Sequence, residues 1–228
     1  QFPPMNRLPK VTVITVCRNA LPLLRHTVEN VLQQAYAPLE YLIIDGASTD
    51  GTPAYFSSLQ APLQWWSEPD KGIYDAMNKG VARASGEWVI FMNAGDCFAA
   101  ADVLQRIFST PRTADVIYGD VLKAAADGAP TVSRAHPFKN AHRMCFCHQS
   151  SLVRIECLRA TPFDITHPFS ADFKFFKLLG HQGKKFAYVD IPIALFDTSG
   201  ISNRQRSKGL YDNIKVVRET DGFLERLR

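Results

Sequence analysis

Apolar and polar positions follow two alternating rhythms along the first hundred residues. Short apolar runs at Val11–Val16, Glu40–Ile44, Gln64–Ser67 and Trp88–Met92 are bounded by glycine or polar residues, the pattern of strands in a covered sheet. Between them, Leu21, Leu24, Val28, Val31 and Leu32 form a helical stripe over Leu21–Ala35, and Pro38 closes that unit. Ile73, Ala76, Met77, Gly80 and Val81 share a face of a second helix, Ile73–Ala84, stopped by Ser85-Gly86. In the turn cluster Gly46–Thr52, Thr49 or Asp50 is suited to cap a further helix. Strand, helix, strand in this order makes a right-handed crossover and implies parallel pairing. The stretch Glu87–Asp96 is the centre of the pattern: an apolar strand runs into a polar turn ending in a carboxylate, where open α/β sheets place their ligands.

The second half is less regular. Val103–Phe108 reads as a helix and Asp115–Tyr118 as a short strand ended by Gly119-Asp120. Asp127-Gly128 marks a hairpin turn between Val121–Ala125 and Pro130–Ser133. Ser151–Val153 leads into a helix around Ile155–Leu158, Asp172–Leu179 is helical with Gly180 as its stop, and Phe186–Val189 is a final strand. With neither repeat nor Gly/Ser-rich linker, the expectation is one α/β domain over residues 10–203. It has a ligand-binding half (10–100) and a second half (101–203), between an N-terminal tail (1–9) and a basic amphipathic C-terminal helix (204–228).

Length and composition are those of an ordinary globular chain, and no apolar run approaches the roughly 20 residues of a membrane-spanning helix. Gln1–Pro9 shows no signal-peptide pattern, so a cytoplasmic protein is expected. Five cysteines, an odd number in mostly apolar surroundings, suit reduced thiols better than a disulfide framework. Cys145-Phe-Cys147-His148 matches no common zinc spacing, and its alternation suits a strand face equally well. A net charge of +4 gives no case for nucleic acid. From Arg204 onward, seven basic residues stand against four acidic, so the tail carries +3 of that charge. Leu210, Ile214, Val217 and Leu224 lie near one helical face of the tail, which either packs on the domain or touches an anionic membrane surface.

No Gly-x-Gly-x-x-Gly follows a strand, and no Gly-Lys-Ser/Thr is present, so neither the usual dinucleotide site nor a P-loop is supported. The chain instead offers carboxylates at strand ends. Asp45 could accept a hydrogen bond from a base or ribose, or serve only the turn; Asp96 could hold a cation bridging phosphates.

Four blocks in order resemble family 2 glycosyltransferases. They are Val11–Asn19, Tyr41–Thr52, Asp70–Gly80 and Phe91–Asp96, with looser similarity reaching about residue 203. The resemblance implies a GT-A fold, Rossmann-like with a mainly parallel central sheet. It also implies a nucleotide-diphosphate sugar donor, a divalent metal (Mn2+ or Mg2+) on the diphosphate, and inversion at the anomeric carbon. By motif, Thr15, Arg18 and Asn19 would line the nucleoside pocket and Asp45 would contact the base, with Asp70, Lys71 and Asp75 beside the nucleotide or diphosphate. The family's Asp-x-Asp turn falls on Asn93-Ala94-Gly95, followed by Asp96, so both motif aspartates are replaced and Asp96 is the expected metal ligand. Asp172 is the expected base for the acceptor hydroxyl, an N-cap being its structural alternative, and His148 is expected on the pocket floor. Gly200-Ile201-Ser202 resembles a loop closing over the diphosphate, with Arg204 or Arg206 supplying charge. The implied activity is transfer of a sugar to a glycan or lipid-linked acceptor in bacterial cell-surface polysaccharide assembly, at the inner face of the membrane. A nucleotidyltransferase and a sugar-nucleotide-binding protein without catalysis are the alternatives.

Overall fold

The structure is a computed structural model that describes residues 7–110, 113–125, 128–139, 141–196 and 206–222. Along the first half run β1 (Val11–Cys17), α1 (Leu21–Leu32), β2 (Leu39–Asp45), α2 (Thr52–Ser58), β3 (Gln64–Ser67), α3 (Ile73–Arg83) and β4 (Trp88–Phe91). Then follow β5 (Cys97–Phe98), α4 (Val103–Phe108), β6 (Val116–Ala125), β7 (Gly128–Ser133), β8 (Ser151–Arg154), α5 (Ile155–Ala160), α6 (Ala171–His181), β9 (Phe186–Phe196) and α7 (Arg206–Thr220).

Among the described residues, nine strands join one sheet in the order β3-β2-β1-β4-β8-β6-β9-β5, with β7 paired to β6. β3, β2, β1 and β4 are parallel, as the crossover pattern predicts. Beyond β4 the sheet is mixed: β8 runs antiparallel to both β4 and β6, whereas β6 and β9 are parallel. The sheet is therefore parallel through its first half only. Both faces are covered, which is why its strands read as unbroken apolar runs. Trp88, Ile90 and Met92 enter the core beneath α1 and α4, while Val89 and Phe91 enter the core beneath α3, α5 and α6. α3 comes close to the sheet because Gly80 has no side chain; a Cβ there would lie 2.7 Å from Ile14 Cγ2.

Two strands are longer than their sequence suggests. Gly119-Asp120 does not stop β6, which is continuous over Val116–Ala125 with register shifts against β9 on either side of Asp120. Gly119 admits the close approach of β9, since a Cβ there would meet the Ile191 carbonyl oxygen at 2.6 Å. β9 likewise continues through Pro192 to Phe196. The β6–β7 hairpin is formed with Ala125 opposite Gly128, and Asp127 of its turn lies outside the described residues.

The C-terminal helix docks in the opposite sense to its apolar stripe. Leu210, Tyr211 and Ile214 are exposed, while Asp212, Val216 and the following Asp221 are buried against the domain. Charge decides this orientation. His167 Nδ1 lies 2.9 Å from Asp212, Lys174 donates to Glu219 at 2.6 Å, and Lys177 pairs with Asp221 at 2.8 Å. The Lys177–Asp221 pair is buried at both ends, and a buried ion pair deprived of one partner is strongly destabilising, so this contact holds α7 against α6.

Candidate active site

The ends of the first three strands are level. Cys17 pairs with Asp45, and Asp45 with Ser67. Asp45 is wholly buried and accepts from Ser48 N at 3.0 Å, Ser67 Oγ at 2.6 Å, Cys17 Sγ at 3.5 Å, and from Ser48 Oγ. Burial first, then the neighbouring carboxylate of Asp45, pushes the Cys17 thiol far up and keeps it protonated. Asp45 thus organises the strand edge, and a ligand base would have to displace one of these donors to reach it.

The loops after β1 and β2 are stitched together. Asn19 N donates to Ser48 Oγ at 2.7 Å, and Thr49 N donates back to Asn19 Oδ1 at 2.8 Å. Asp50 accepts from Leu21 N and from Thr52 N and Oγ1, so one carboxylate serves the first turns of both α1 and α2. Asn19 and Ala47 both adopt positive φ, 49° and 55°, a costly conformation for residues with a Cβ and one that collects at functional loops. Gly46 keeps the edge narrow. A Cβ there would collide with the Asp70 carboxylate and lie 3.3 Å from Arg18 Cδ, so Arg18 and Asp70 both reach this edge.

After β4 the chain continues the ladder, with Met92 N donating to Ile14 O and Ala94 N to Val16 O. It then turns through Gly95 at φ 105° to Asp96, whose amide donates to Asn93 O at 2.8 Å. Thr27 of α1 bolts the turn down: its hydroxyl accepts from Gly95 N and donates to Asp96 O, both at 2.9 Å. Nothing in the helical stripe marks Thr27, because its role depends on a turn 66 residues later. Thr27→Val keeps the shape and strands these polar groups, so stability is expected to fall by about 1–3 kcal/mol. The urea midpoint of the variant measures this; an unchanged midpoint would show the turn is held elsewhere.

Asn93 Oδ1 is a buried carbonyl oxygen with no hydrogen-bond partner among the described residues, and Asp96 is 4% exposed. A carboxylate and an orphaned amide oxygen on one turn are the hard oxygen donors that Mg2+ and Mn2+ prefer, so the residues fit a divalent ion. Asp164, His167 and Glu219 form another cluster whose ligand atoms lie within 4.8 Å of one another. There the Lys174 ammonium already lies 2.7 Å from Asp164 and 2.6 Å from Glu219, so a cation balances those acids. The ionic clamp on α7 explains that cluster without a metal.

Asp172 enters from the second half at the start of α6, beside the 3₁₀ turn His148–Ser150. Its Oδ1 accepts from Tyr74 Oη at 2.8 Å and from Phe173 N at 2.9 Å, while Oδ2 faces His148 Nδ1 at 3.7 Å, beyond hydrogen-bond reach. Burial, then smaller contributions from charges that include Asp96 and Asp172, pushes the Cys147 thiol up to about 12. His148 lies 3.7 Å from Asp172 and packs edge-on to Phe91 at the end of β4, which brings the head of α6 beside the end of that strand. Its Nε2 is buried without a partner among the described residues. Burial lowers its pKa, opposed in part by Asp172, and keeps the ring neutral. Below the unfolded value of about 6.5 the unfolded chain takes a proton that folded His148 refuses. Stability is therefore expected to fall as pH drops through that value towards the lowered folded one, by at most about 1.4 kcal/mol per pH unit. In His148→Gln, denaturation measured across pH 5–7 should lose this component; the same slope would contradict it.

The other expected residues divide. Thr15 is wholly buried on β1, with its hydroxyl shared with Tyr41 at 3.0 Å. Asp70 and Asp75 shape the start of α3, accepting from Gly72 N and Lys71 N at 2.9 Å each, and the Lys71 side chain is exposed. Ala94 is half-buried on the metal-type turn. Gly200–Ser202 and Arg204, like the side chain of Arg206, lie outside the described residues. Cys145 and Cys147 are free thiols. A cavity of about 680 Å³ between α4 and β9, lined by Arg106, Tyr188 and Asp190, shares no residue with the strand-end site.

Residues 12–168 match the family model described as Glycosyl transferase family 2. An uncharacterised glycosyltransferase of Mycobacterium tuberculosis is 43% identical over 102 residues, 44% of this chain and 39% of that protein. The chain thus spans about two fifths of this relative. A PGL/p-HBAD biosynthesis glycosyltransferase of Mycobacterium bovis is 26% identical over 209 residues, 86% of this chain and 80% of that one. Among solved structures, a Pyrobaculum calidifontis mannosyltransferase in complex with GDP-Man and Mn2+ superposes with a TM-score of 0.72 at 22% identity, covering 95% of this chain and 66% of that one. At that identity the likeness shows the shared GT-A fold.

Proposed function

The chain belongs to glycosyl transferase family 2, and on that premise we propose that it is an inverting enzyme. It would move a sugar from a nucleotide-diphosphate donor to a hydroxyl of a glycan or lipid-linked acceptor in bacterial cell-surface polysaccharide assembly. The observation that carries this reading is Asp172, with one oxygen anchored and the other unbonded among the described residues, beside a His148 that packs on Phe91, two residues before Asn93. The nucleoside would lie against the stitched loops at Asn19 and Gly46, with Arg18, Asp70, Lys71 and Asp75 around it. Asp45 acts in this reading through Ser48 and Ser67, which it holds at the edge.

Asp96 and Asn93 Oδ1 would hold a Mn2+ or Mg2+ ion, which neutralises charge on the diphosphate when bound. The chain's own residues carry the proton. Asp172 Oδ2 takes it from the acceptor hydroxyl as that oxygen bonds to the anomeric carbon from the face opposite the nucleotide. The carbon–oxygen bond to the diphosphate breaks with its electron pair on the nucleotide, and the centre inverts. His148, neutral through burial, lies beside Asp172.

The exposed Leu210, Tyr211 and Ile214, with Lys208 and Lys215 on the same helix, support a peripheral contact with the inner face of the cell membrane. Among the described residues no helix is long and apolar enough to cross a membrane. Co-sedimentation with phosphatidylglycerol vesicles but not neutral ones is the expected result.

Thermal denaturation with GDP-, UDP- and dTDP-sugars, with and without Mn2+, tests the donor proposal. One donor class should raise Tm in a Mn2+-dependent way, by linkage about 2.7 kcal/mol at 100 times Kd. No shift with any donor would contradict the proposal. Binding without release of nucleoside diphosphate, across a panel of acceptors, would instead favour a sugar-nucleotide-binding protein.

A further inference from the structure

We infer that Tyr74 is a positioning residue for Asp172: its hydroxyl fixes Oδ1 so that Oδ2 alone points at the acceptor hydroxyl. This rests on the reading of Asp172 as the base. Tyr74 lies in the first turn of α3, in the ligand-binding half, and reaches a carboxylate 98 residues further on. With Phe173 N it gives Oδ1 two donors, whereas Oδ2 accepts no hydrogen bond among the described residues. An aspartate swings freely about its terminal torsion unless one oxygen is tied, and a base must lie within about 3 Å of the proton it takes. The tie is rigid because Tyr74 is itself held. Its ring packs against Phe163 at 5.5 Å, and Phe163 packs against Phe91 and Phe175 at 5.6 and 5.1 Å.

The hydroxyl also has a fixed polarity. Burial, then the charge of Asp172, raises the Tyr74 phenol well above its ordinary value, so it donates at every working pH and never competes for the acceptor's proton. Side chains beside Asp172 are Tyr74 from α3 and His148 from the 3₁₀ turn, and burial keeps His148 neutral. Tyr74 is thus the donor in this set that meets the carboxylate directly through its side chain. The bond links the two halves, so the base is aligned only when α3 and α6 are docked.

The test needs no identified substrate. In full-length protein carrying 13C-carboxyl aspartate, the Asp172 signal is the one lost in Asp172→Asn. Tyr74→Phe keeps the ring and removes the side-chain donor to Oδ1, so the Asp172 carboxyl signal should change its chemical shift. The kcat of nucleoside diphosphate release should fall with it while KM for the donor holds, using whichever donor raises Tm. Circular dichroism confirms that the variant is folded, and Tyr74→Leu, which should lose packing as well, separates ring from hydroxyl. A Tyr74→Phe carboxyl signal and kcat equal to those of the unmodified protein overturn the inference. Retained turnover in Asp172→Asn sinks the reading of the base instead, whatever the Tyr74 result.

Discussion

Asp172→Asn is expected to cut sugar transfer by about 10²–10⁴-fold, the usual worth of a positioned general base. Donor affinity should change little. The amide keeps an oxygen to accept from Tyr74 and Phe173 N, so the head of α6 stays in place while the proton acceptor is lost. The discriminating pattern is a fall in kcat with KM for the donor nearly unchanged, the signature of an interaction made in the transition state. If KM rises and kcat holds, Asp172 binds substrate and some other group takes the proton.

Asp96→Asn should act on a different quantity. Removing the one carboxylate of the Asn93–Asp96 turn leaves two neutral amides to face a divalent ion and a diphosphate. The expected result is loss of the Mn2+-dependent part of nucleoside diphosphate binding and a fall of about 10²-fold or more in kcat/KM, comparable to removing a preorganised electrostatic group. Asp96 is buried, so circular dichroism and Tm must accompany the measurement. The backbone bonds that shape the turn come from Thr27 and Asn93 O, and the substitution does not touch them. Unaltered Mn2+ dependence in a folded Asp96→Asn would mean that the ion is held elsewhere.

The first half was legible because local and global signals agree there. β1, α1, β2, β3, α3 and β4 each combine a clear period with a turn signal, and burial on both faces leaves an uninterrupted apolar run to read. The second half fails that condition. Gly119-Asp120 has the composition of a stop, yet the glycine serves the approach of β9 and the Asp120 carboxylate accepts from Ala135 N and Tyr188 Oη. Both reasons are non-local. α7 misled in a similar way, since its apolar stripe was the visible feature while Asp212, Glu219 and Asp221 chose the docked face by meeting His167, Lys174 and Lys177. For the site, the strand-end positions Asp45, Asn93 and Asp96 could be read because topology puts such residues at a sheet edge. The residues that hold them could not. Thr27 and Ser48, like Tyr74 at Asp172, carry no motif of their own, and each acts through a hydrogen bond whose partner only the fold supplies.

The central claim, that a metal-bound diphosphate lies against the turn after β4, is tested most directly by anomalous diffraction. Crystals would be grown with Mn2+ and with GDP or UDP, whichever raises Tm. The account predicts a manganese peak coordinated by Asp96 and Asn93 Oδ1 and bridging the diphosphate, with the nucleoside against the Asn19–Gly46 edge. A peak among Asp164, His167 and Glu219, or a nucleotide in the cavity beside Arg106 and Tyr188, would contradict it.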